Sequence, residues 1–122
     1  MVTGVRFPAA RVGAGLVFTS GLAAIDPATM TVSATDFHGQ AAAVFEQLDA
    51  ALTACGSSRD QVLKLDCFLA ERQWFPAWNA AFESFFKTAA PARTTTITTL
   101  PIEGLLIEVQ AIAVAESRGR SS

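Results

Sequence analysis

Residues 37–56 read FHGQAAAVFEQLDAALTACG, and what this stretch forms decides what the rest of the chain must pack against. Its apolar residues recur three and four positions apart, which is the period of one face of an α-helix. Thr35 or Asp36 can cap the start, and Gly56 provides the left-handed residue with which helices commonly end. The sequence therefore predicts a helix from about Phe37 to Cys55. Its apolar face comprises Ala41, Val44, Phe45, Leu48, Ala51, Leu52 and Cys55.

A second helix is predicted downstream, beginning near Phe75. Pro76 is tolerated only in the first turn of a helix, which fixes the start, and Ala89-Ala90-Pro91 ends it. A stripe of aromatic residues at helical spacing is expected to be core rather than a cofactor site. The stripe consists of Trp74, Phe75, Trp78, Phe82, Phe85 and Phe86.

The remaining apolar segments are predicted to be β-strands, because they are rich in β-branched residues or alternate between apolar and polar. They are Leu16–Thr19, Val62–Leu69, Arg93–Leu100 and Leu105–Val114, with a turn at Asp26–Thr29. Two helices against an antiparallel or mixed sheet give an α+β fold. Such a layout leaves one sheet face without helices, and another subunit must cover that face if it is apolar.

The composition excludes several classes of protein. Apolar residues make up 51% of the 122 residues and charged residues 16%, which excludes a disordered chain and favours an oligomer that buries additional surface. The net charge is −2 and there is no basic run, so no nucleic-acid partner is expected. No apolar stretch approaches the ~18 residues of a membrane span, so no membrane partner is expected either. We expect a single domain over residues 1–116 and a flexible tail over residues 117–122.

Cysteine and histidine are scarce. Cys55 and Cys67 are the two cysteines and His38 is the single histidine, too few for a convincing zinc site or a disulfide scaffold. We expect two buried thiols in a reducing cytoplasm, and no metal or other cofactor. His38 stands at the start of a helix, where an exposed or capping role is favoured over catalysis.

Two charged residues stand in strands that are otherwise expected to be buried. Arg93 shares a strand face with Thr95 and Ile97, and Glu108 lies in the nearly apolar last strand. A carboxylate in such a run must find a partner or change its pKa. Two interpretations are open. Arg93 and Glu108 form a buried ion pair across adjacent strands, or Arg93 binds a substrate carboxylate through its planar fork in a cleft that also holds Glu108.

Taken in order, several short motifs resemble the RidA/YjgF family of small enamine/imine deaminases. The resemblance covers nearly the whole chain, from about Phe7 to Val114. The motifs are Val17-Phe18-Thr19-Ser20-Gly21, Asp26-Pro27-Ala28-Thr29, Ala54-Cys55-Gly56-Ser57-Ser58, Val62-Leu63-Lys64-Leu65, Trp78-Asn79 ahead of Phe85-Phe86, Pro91-Ala92-Arg93-Thr94 and Ile107-Glu108-Val109-Gln110-Ala111-Ile112-Ala113.

The resemblance implies a chorismate-mutase-like α+β fold, with two helices on one face of a mostly antiparallel, mixed sheet of about six strands. It also implies a homotrimer with clefts between neighbouring subunits. In such a cleft Arg93 would grip the substrate carboxylate and Glu108 would lie near the reacting centre. The residues implied to bind substrate beside Arg93 are Phe7, Ser20, Gly21, Leu22, Asn79 and Thr95.

Four of these motif positions depart from the pattern of the well-studied deaminases. Phe7 replaces a cleft tyrosine in a chain that has no tyrosine at all. Thr95 replaces a cysteine, Leu22 replaces a residue that is often glutamine, and Gln110 replaces a second acid. The carboxylate anchor is intact, whereas the substrate and the rate are open.

The function that follows from the resemblance is hydrolysis of reactive 2-enamine or 2-imine acids, of the 2-aminoacrylate type, to 2-keto acids and ammonia. Water would attack the imine carbon, with Glu108 orienting it and assisting proton transfer. No metal or organic cofactor is needed. The alternative is a non-catalytic or regulatory trimer of the same family that retained the carboxylate-binding site.

Overall fold

The computed structural model describes residues 7–116. The tail predicted for residues 117–122, and the first six residues of the predicted domain, lie outside the described residues. The strands and helices in chain order are β1 (Ala10–Gly13), β2 (Leu16–Thr19), β3 (Leu22–Ala23), β4 (Ile25–Asp26), β5 (Thr31–Val32), α1 (Phe37–Ala54), β6 (Val62–Leu69), α2 (Phe75–Phe85), β7 (Ala92–Ile97) and β8 (Ile107–Val114), with single 3-10 turns at Arg59–Gln61 and Arg72–Trp74.

Six of the strands form one mixed sheet, which confirms the α+β prediction. Its order is β1-β2-β8-β6-β7. Strand β3 also pairs with β8, at residues 108–109, whereas β2 pairs with residues 112–114. The neighbours β6 and β7 are parallel, joined by α2, and every other pair is antiparallel. Strands β4 and β5 form a separate hairpin around the predicted Asp26–Thr29 turn. Both helices pack on one face of the sheet.

Helix α1 begins where the sequence predicts it. The Asp36 side chain accepts a hydrogen bond from the Gly39 backbone N–H at 2.8 Å, so Asp36 rather than Thr35 is the cap. The helix ends at Ala54, one residue before the predicted end, and Gly56 has φ +74°. The apolar side of α1 packs on the sheet with the alternate side chains of β6 and β8 to form the core.

The last two strands are shorter than predicted. Strand β7 ends at Ile97 instead of Leu100, shortly before Pro101, which has no N–H for a ladder. Strand β8 begins at Ile107 instead of Leu105. The Leu106 backbone N–H donates instead to the buried Gln40 side chain at 2.8 Å, so the N–H of this half-buried residue is satisfied outside the strand ladder.

Two predictions of burial need correction. Phe75, predicted to be core, is 41% exposed at the first turn of α2, whereas Trp78 and Phe86 of the same stripe are buried. Cys67 is buried as predicted, but Cys55 is only half-buried, because it caps the end of α1. Both cysteines are free thiols. His38 is exposed in the first turn of α1, as predicted.

The sheet face without helices is mixed rather than apolar. Lys64 forms an ion pair with Asp66 at 2.6 Å and also donates to Thr94 Oγ1 at 3.1 Å. The hydrogen bond from Lys64 is the main reason that the pKa of Asp66 lies below its usual value. Phe18, which is 45% exposed, and Val114 lie beside this polar centre. We refer to this helix-free face of the sheet below as the open face.

Candidate functional site

Arg93 lies on the helix-bearing side of the sheet, beneath α2. Its Cζ atom is 4.8 Å from the centre of the Phe82 ring, 5.7 Å from Trp78 and 5.9 Å from Phe75. These rings of α2 attract a cation through their π faces and surround the guanidinium with apolar surface. We call the rings of Phe75, Trp78 and Phe82 the aromatic cradle. Phe75 is partly exposed because it lies at the rim of this cradle.

Asn79 fixes the orientation of the guanidinium. Its side-chain Oδ1 accepts a hydrogen bond from Arg93 Nη2 at 2.8 Å. A guanidinium has five N–H donors, so most of them remain free for a ligand. The described residues contain two salt bridges, Arg59–Asp49 and Lys64–Asp66, and neither includes Arg93. A half-buried guanidinium without a carboxylate partner is suited to bind a planar anion.

Thr95 stands on the same strand face as Arg93, two residues along β7. Its Oγ1 accepts a hydrogen bond from the Trp78 indole N–H at 3.0 Å. In the sheet register, Thr95 is beside Cys67 of β6. Burial raises the pKa of the Cys67 thiol strongly, so this sulfur stays protonated and is a poor nucleophile. Arg93, Asn79 and Thr95 together form what we call the arginine half-site.

Glu108 belongs to a second cluster, on the open face. Its carboxylate lies directly against Gly21, and a Cβ atom at that position would clash with Glu108 Oε2. The carboxylate is half-buried, and the loss of hydration raises the pKa of Glu108 above its usual value. Ser20 donates its hydroxyl proton to the Pro8 carbonyl oxygen at 2.7 Å, which ties the segment after Phe7 to this cluster. Gly21, Ser20 and Glu108 form the glutamate half-site.

Two of the predicted binding residues, Phe7 and Leu22, differ in burial: the first is exposed and the second lies in the core. Phe7 is 68% exposed, at the start of the described residues, close in sequence to the Pro8 carbonyl that Ser20 contacts. Leu22 is only 5% exposed and packs in the core. It pairs with Val109 on the helix-bearing side, so the structure does not bring its side chain to Glu108.

The two half-sites cannot meet within one chain. Strand β6 lies between β7 and β8, and Arg93 is level with Leu65, which is level in turn with Ala111. The side chains of Arg93 and Glu108 leave the sheet on opposite faces. The interpretation as a buried ion pair across adjacent strands is therefore wrong, because sequence periodicity gives the face of each strand but not the order of strands in the sheet.

Neither helix in the described chain is both long and apolar enough to cross a membrane. Over residues 7–116, no three side chains among His, Cys, Asp and Glu are grouped so that they could hold a metal ion. The groups that the two half-sites offer for chemistry are the guanidinium of Arg93, the carboxylate of Glu108 and the side chains that position them.

Comparison with known proteins assigns the fold and these motifs to one family. Residues 5–115 match the family model described as endoribonuclease L-PSP. The chain is 38% identical to Protein DfrA of Myxococcus xanthus over 109 residues, which cover 88% of this chain and 82% of DfrA. The chain belongs to the L-PSP family, which includes the RidA and YjgF proteins.

Solved structures of that family have the same architecture. RidA from an Antarctic Psychrobacter superposes with a TM-score of 0.82 at 26% identity, over 93% of this chain and 91% of that one. The Rid family protein YyfA of Yersinia pestis gives a TM-score of 0.81 at 28% identity, over 89% and 87% of the two chains. The fold expected from the sequence motifs is thereby confirmed.

Proposed function

We propose that this protein hydrolyses 2-enamine and 2-imine acids of the 2-aminoacrylate type to 2-keto acids and ammonia. The observation that carries the proposal is the guanidinium of Arg93, oriented by Asn79 at 2.8 Å, set among three aromatic rings and free of any carboxylate partner in the described chain. A small acid offers the planar, two-oxygen anion that this fork binds best.

The complete site would be formed between subunits. The arginine half-site and the glutamate half-site lie on opposite faces of one sheet, so a ligand that contacts both needs two copies of the chain. Contact between two different surfaces is head-to-tail, and repeated head-to-tail contact closes into a ring when the rotation allows it. The resemblance to the RidA/YjgF family implies that this ring is a homotrimer. Burial of the open face, with the exposed Phe18 and Val114, is consistent with such an assembly.

The reaction needs only water as a co-reactant. Water adds to C2 of the imine acid in its protonated iminium form, the C=N electron pair moves to the positively charged nitrogen, and the Glu108 carboxylate takes a proton from the water. Glu108 then returns that proton to the nitrogen of the carbinolamine. The C–N bond breaks, the hydroxyl becomes the keto group, and its proton leaves with ammonia as ammonium. A pKa above the usual value suits Glu108 to the second, acidic step.

No metal or organic cofactor takes part in this scheme. The substrate imine is already electrophilic, so the protein supplies position and proton transfer. A cytoplasmic location is part of the proposal, because both cysteines are free thiols and a reducing compartment keeps thiols free.

A second candidate function is a carboxylate-binding regulatory trimer without turnover. It is favoured by the contrast between the two half-sites. The arginine half-site keeps unused guanidinium donors. In the glutamate half-site the Ser20 hydroxyl already donates to the Pro8 carbonyl, and position 7, next to Pro8 in the chain, is phenylalanine instead of a hydroxyl donor. Binding without catalysis needs only the arginine half-site.

The experiment generates 2-iminobutyrate in situ with an amino-acid deaminating enzyme and follows its loss with and without the protein. We expect the wild-type protein to accelerate the loss, and both Arg93→Met and Arg93→Lys to abolish that effect. Methionine fills the apolar cradle without the charge, and lysine keeps the charge without the fork. Full activity of Arg93→Met would refute the proposal. Binding of 2-oxobutanoate without any acceleration would establish the regulatory alternative.

A further inference from the structure

The hydroxyl of Thr95 has a defined hydrogen-bond direction. An indole N–H can only donate, so in the 3.0 Å contact with Trp78 Nε1 the Thr95 oxygen is the acceptor. The proton of the Thr95 hydroxyl must therefore point away from Trp78. Within residues 7–116 the Thr95 hydroxyl donates to no acceptor. The strand thus presents an unused donor on the same face as the unused guanidinium donors of Arg93.

Trp78 is held too firmly to release this contact. It is fully buried, with 0% exposure, and its ring stacks on Phe45 at 5.8 Å and meets the edge of Phe82 at 5.8 Å. The indole N–H has no route to water, so breaking the bond to Thr95 would leave a buried donor unpaired. The direction of the Thr95 proton is consequently set before any ligand arrives.

We propose that Trp78 is a positioning residue that presets the Thr95 hydroxyl as a donor to the carboxylate of the bound acid. Arg93 would hold the carboxylate through its fork, and Thr95 would donate a further hydrogen bond to one of the carboxylate oxygens. The proposal rests on the proposed binding of a carboxylate at Arg93. It assigns this chain a Trp-Thr pair as part of its acid-recognition site, in addition to the arginine and its asparagine.

A purely structural role for Trp78 makes a different prediction. A buried tryptophan usually needs a hydrogen-bond partner, and Thr95 would then serve only to satisfy it. In that case Trp78→Phe would change stability but would not change affinity through Thr95. The two roles are separated by measuring affinity in a double-mutant cycle.

The cycle uses isothermal titration of 2-oxobutanoate, the product of the proposed reaction, into wild type, Trp78→Phe, Thr95→Val and the double variant. We expect Thr95→Val to weaken binding about three- to ten-fold, the value of one hydrogen bond. Trp78→Phe should weaken binding about two- to five-fold in the wild-type background and have no further effect in the Thr95→Val background. Thr95→Ser, which keeps the hydroxyl, should restore most of the affinity. Thr99→Val, an exposed threonine beyond the end of β7, is the matched control and should bind as wild type.

Nuclear magnetic resonance gives a second readout that packing alone would not move. The chain has two tryptophans, so two indole N–H signals are expected, and Trp78→Phe identifies the one from Trp78. Adding 2-oxobutanoate should shift the Trp78 signal, because a hydroxyl that donates to an anion becomes a stronger acceptor for the indole. Trp74, whose Nε1 is buried without a partner, is the internal reference. The shift should be absent in Arg93→Met.

The possible failures are distinguishable. Wild-type affinity in Arg93→Met would overturn the proposed carboxylate site itself, whatever Trp78 does. If Arg93→Met abolishes binding while Thr95→Val binds as wild type, the carboxylate site stands and the Trp-Thr role is wrong. Equal weakening by Trp78→Phe in both backgrounds would also overturn it, since the effect would then come from packing.

Discussion

A site shared between subunits predicts that two inactive variants can restore each other. Arg93→Met destroys the arginine half-site and leaves the glutamate half-site intact, while Glu108→Gln does the reverse. Both changes are mild for the fold: methionine occupies the aromatic cradle, and glutamine keeps the shape of the half-buried Glu108 side chain without its charge. Each pure variant should be inactive.

Mixing the two variants should recover part of the activity, and the fraction follows from the number of complete clefts. In a random one-to-one assembly, the chain that supplies the arginine half-site of a cleft is intact there half of the time. The neighbour that supplies the glutamate half-site is independently intact half of the time, so about a quarter of the clefts are complete. We expect about 25% of wild-type imine hydrolysis in the unselected mixture, and about one third in trimers purified through both tags, because every mixed trimer has one complete cleft among its three.

The assay is co-expression of the two variants with different tags, purification through both tags in turn, and measurement of 2-iminobutyrate loss. A mixture of Arg93→Met with Arg93→Gln is the control and should stay inactive, because no cleft can gain an arginine. The reasoning is refuted if mass spectrometry shows mixed assemblies and the first mixture is nevertheless inactive.

Three further predictions follow from individual contacts. Gly21→Ala should lower kcat/KM at least about ten-fold, because its Cβ would displace the Glu108 carboxylate, to which the proposed mechanism assigns proton transfer. Gly13→Ala, where the added Cβ meets no atom within 4 Å, is the control and should be neutral. Asp66→Asn should reduce the loss of stability on acidification. The lowered pKa of Asp66 contributes stability that is present above its unfolded pKa and is lost as the pH falls through its folded pKa. Urea unfolding from pH 7 to pH 2 would test this. Phe7→Tyr should raise kcat on 2-iminobutyrate about two- to ten-fold if position 7 lines the cleft, and a lower kcat would contradict that placement.

Much of the fold could be predicted from local sequence. The period of the apolar residues fixed α1 to within one residue, and the proline at position 76 fixed the start of α2. Both ends of strand β6 were predicted correctly, because apolar and polar side chains alternate along it. The short strands β1 and β3 to β5 were not predicted, since two to four residues are too few to show a period. Strand β2, also four residues long, was predicted from its β-branched and aromatic residues instead. Strand β1 is a strand because the Ala14-Gly15 turn, with φ values of +54° and +77°, folds it back onto β2.

The candidate site was less accessible to sequence reasoning. Arg93 and Glu108 were identified because charges in apolar strands need an explanation. The separation of Arg93 and Glu108 onto opposite faces of non-adjacent strands was not predicted, because strand order is a long-range property. The Trp78 contact with Thr95 was also missed: helical spacing marks a tryptophan as core and says nothing of where its N–H points. The departure from the family pattern at position 95 nevertheless provides a signal, since a hydroxyl that can accept a hydrogen bond stands there while Trp78 on α2 can only donate one.

The place of β8 in the sheet has a consequence for how the protein is made. This strand pairs with β2, β3 and β6, and so it holds the centre of the sheet together, yet it follows every other described element in the chain. On the ribosome, all of its partners emerge before it, with their ladder edges unpaired and the apolar side of α1 uncovered. The sheet can close only when residues 107–114 leave the exit tunnel. Folding of this domain therefore waits for its last described strand, and the waiting intermediate is the state most exposed to aggregation.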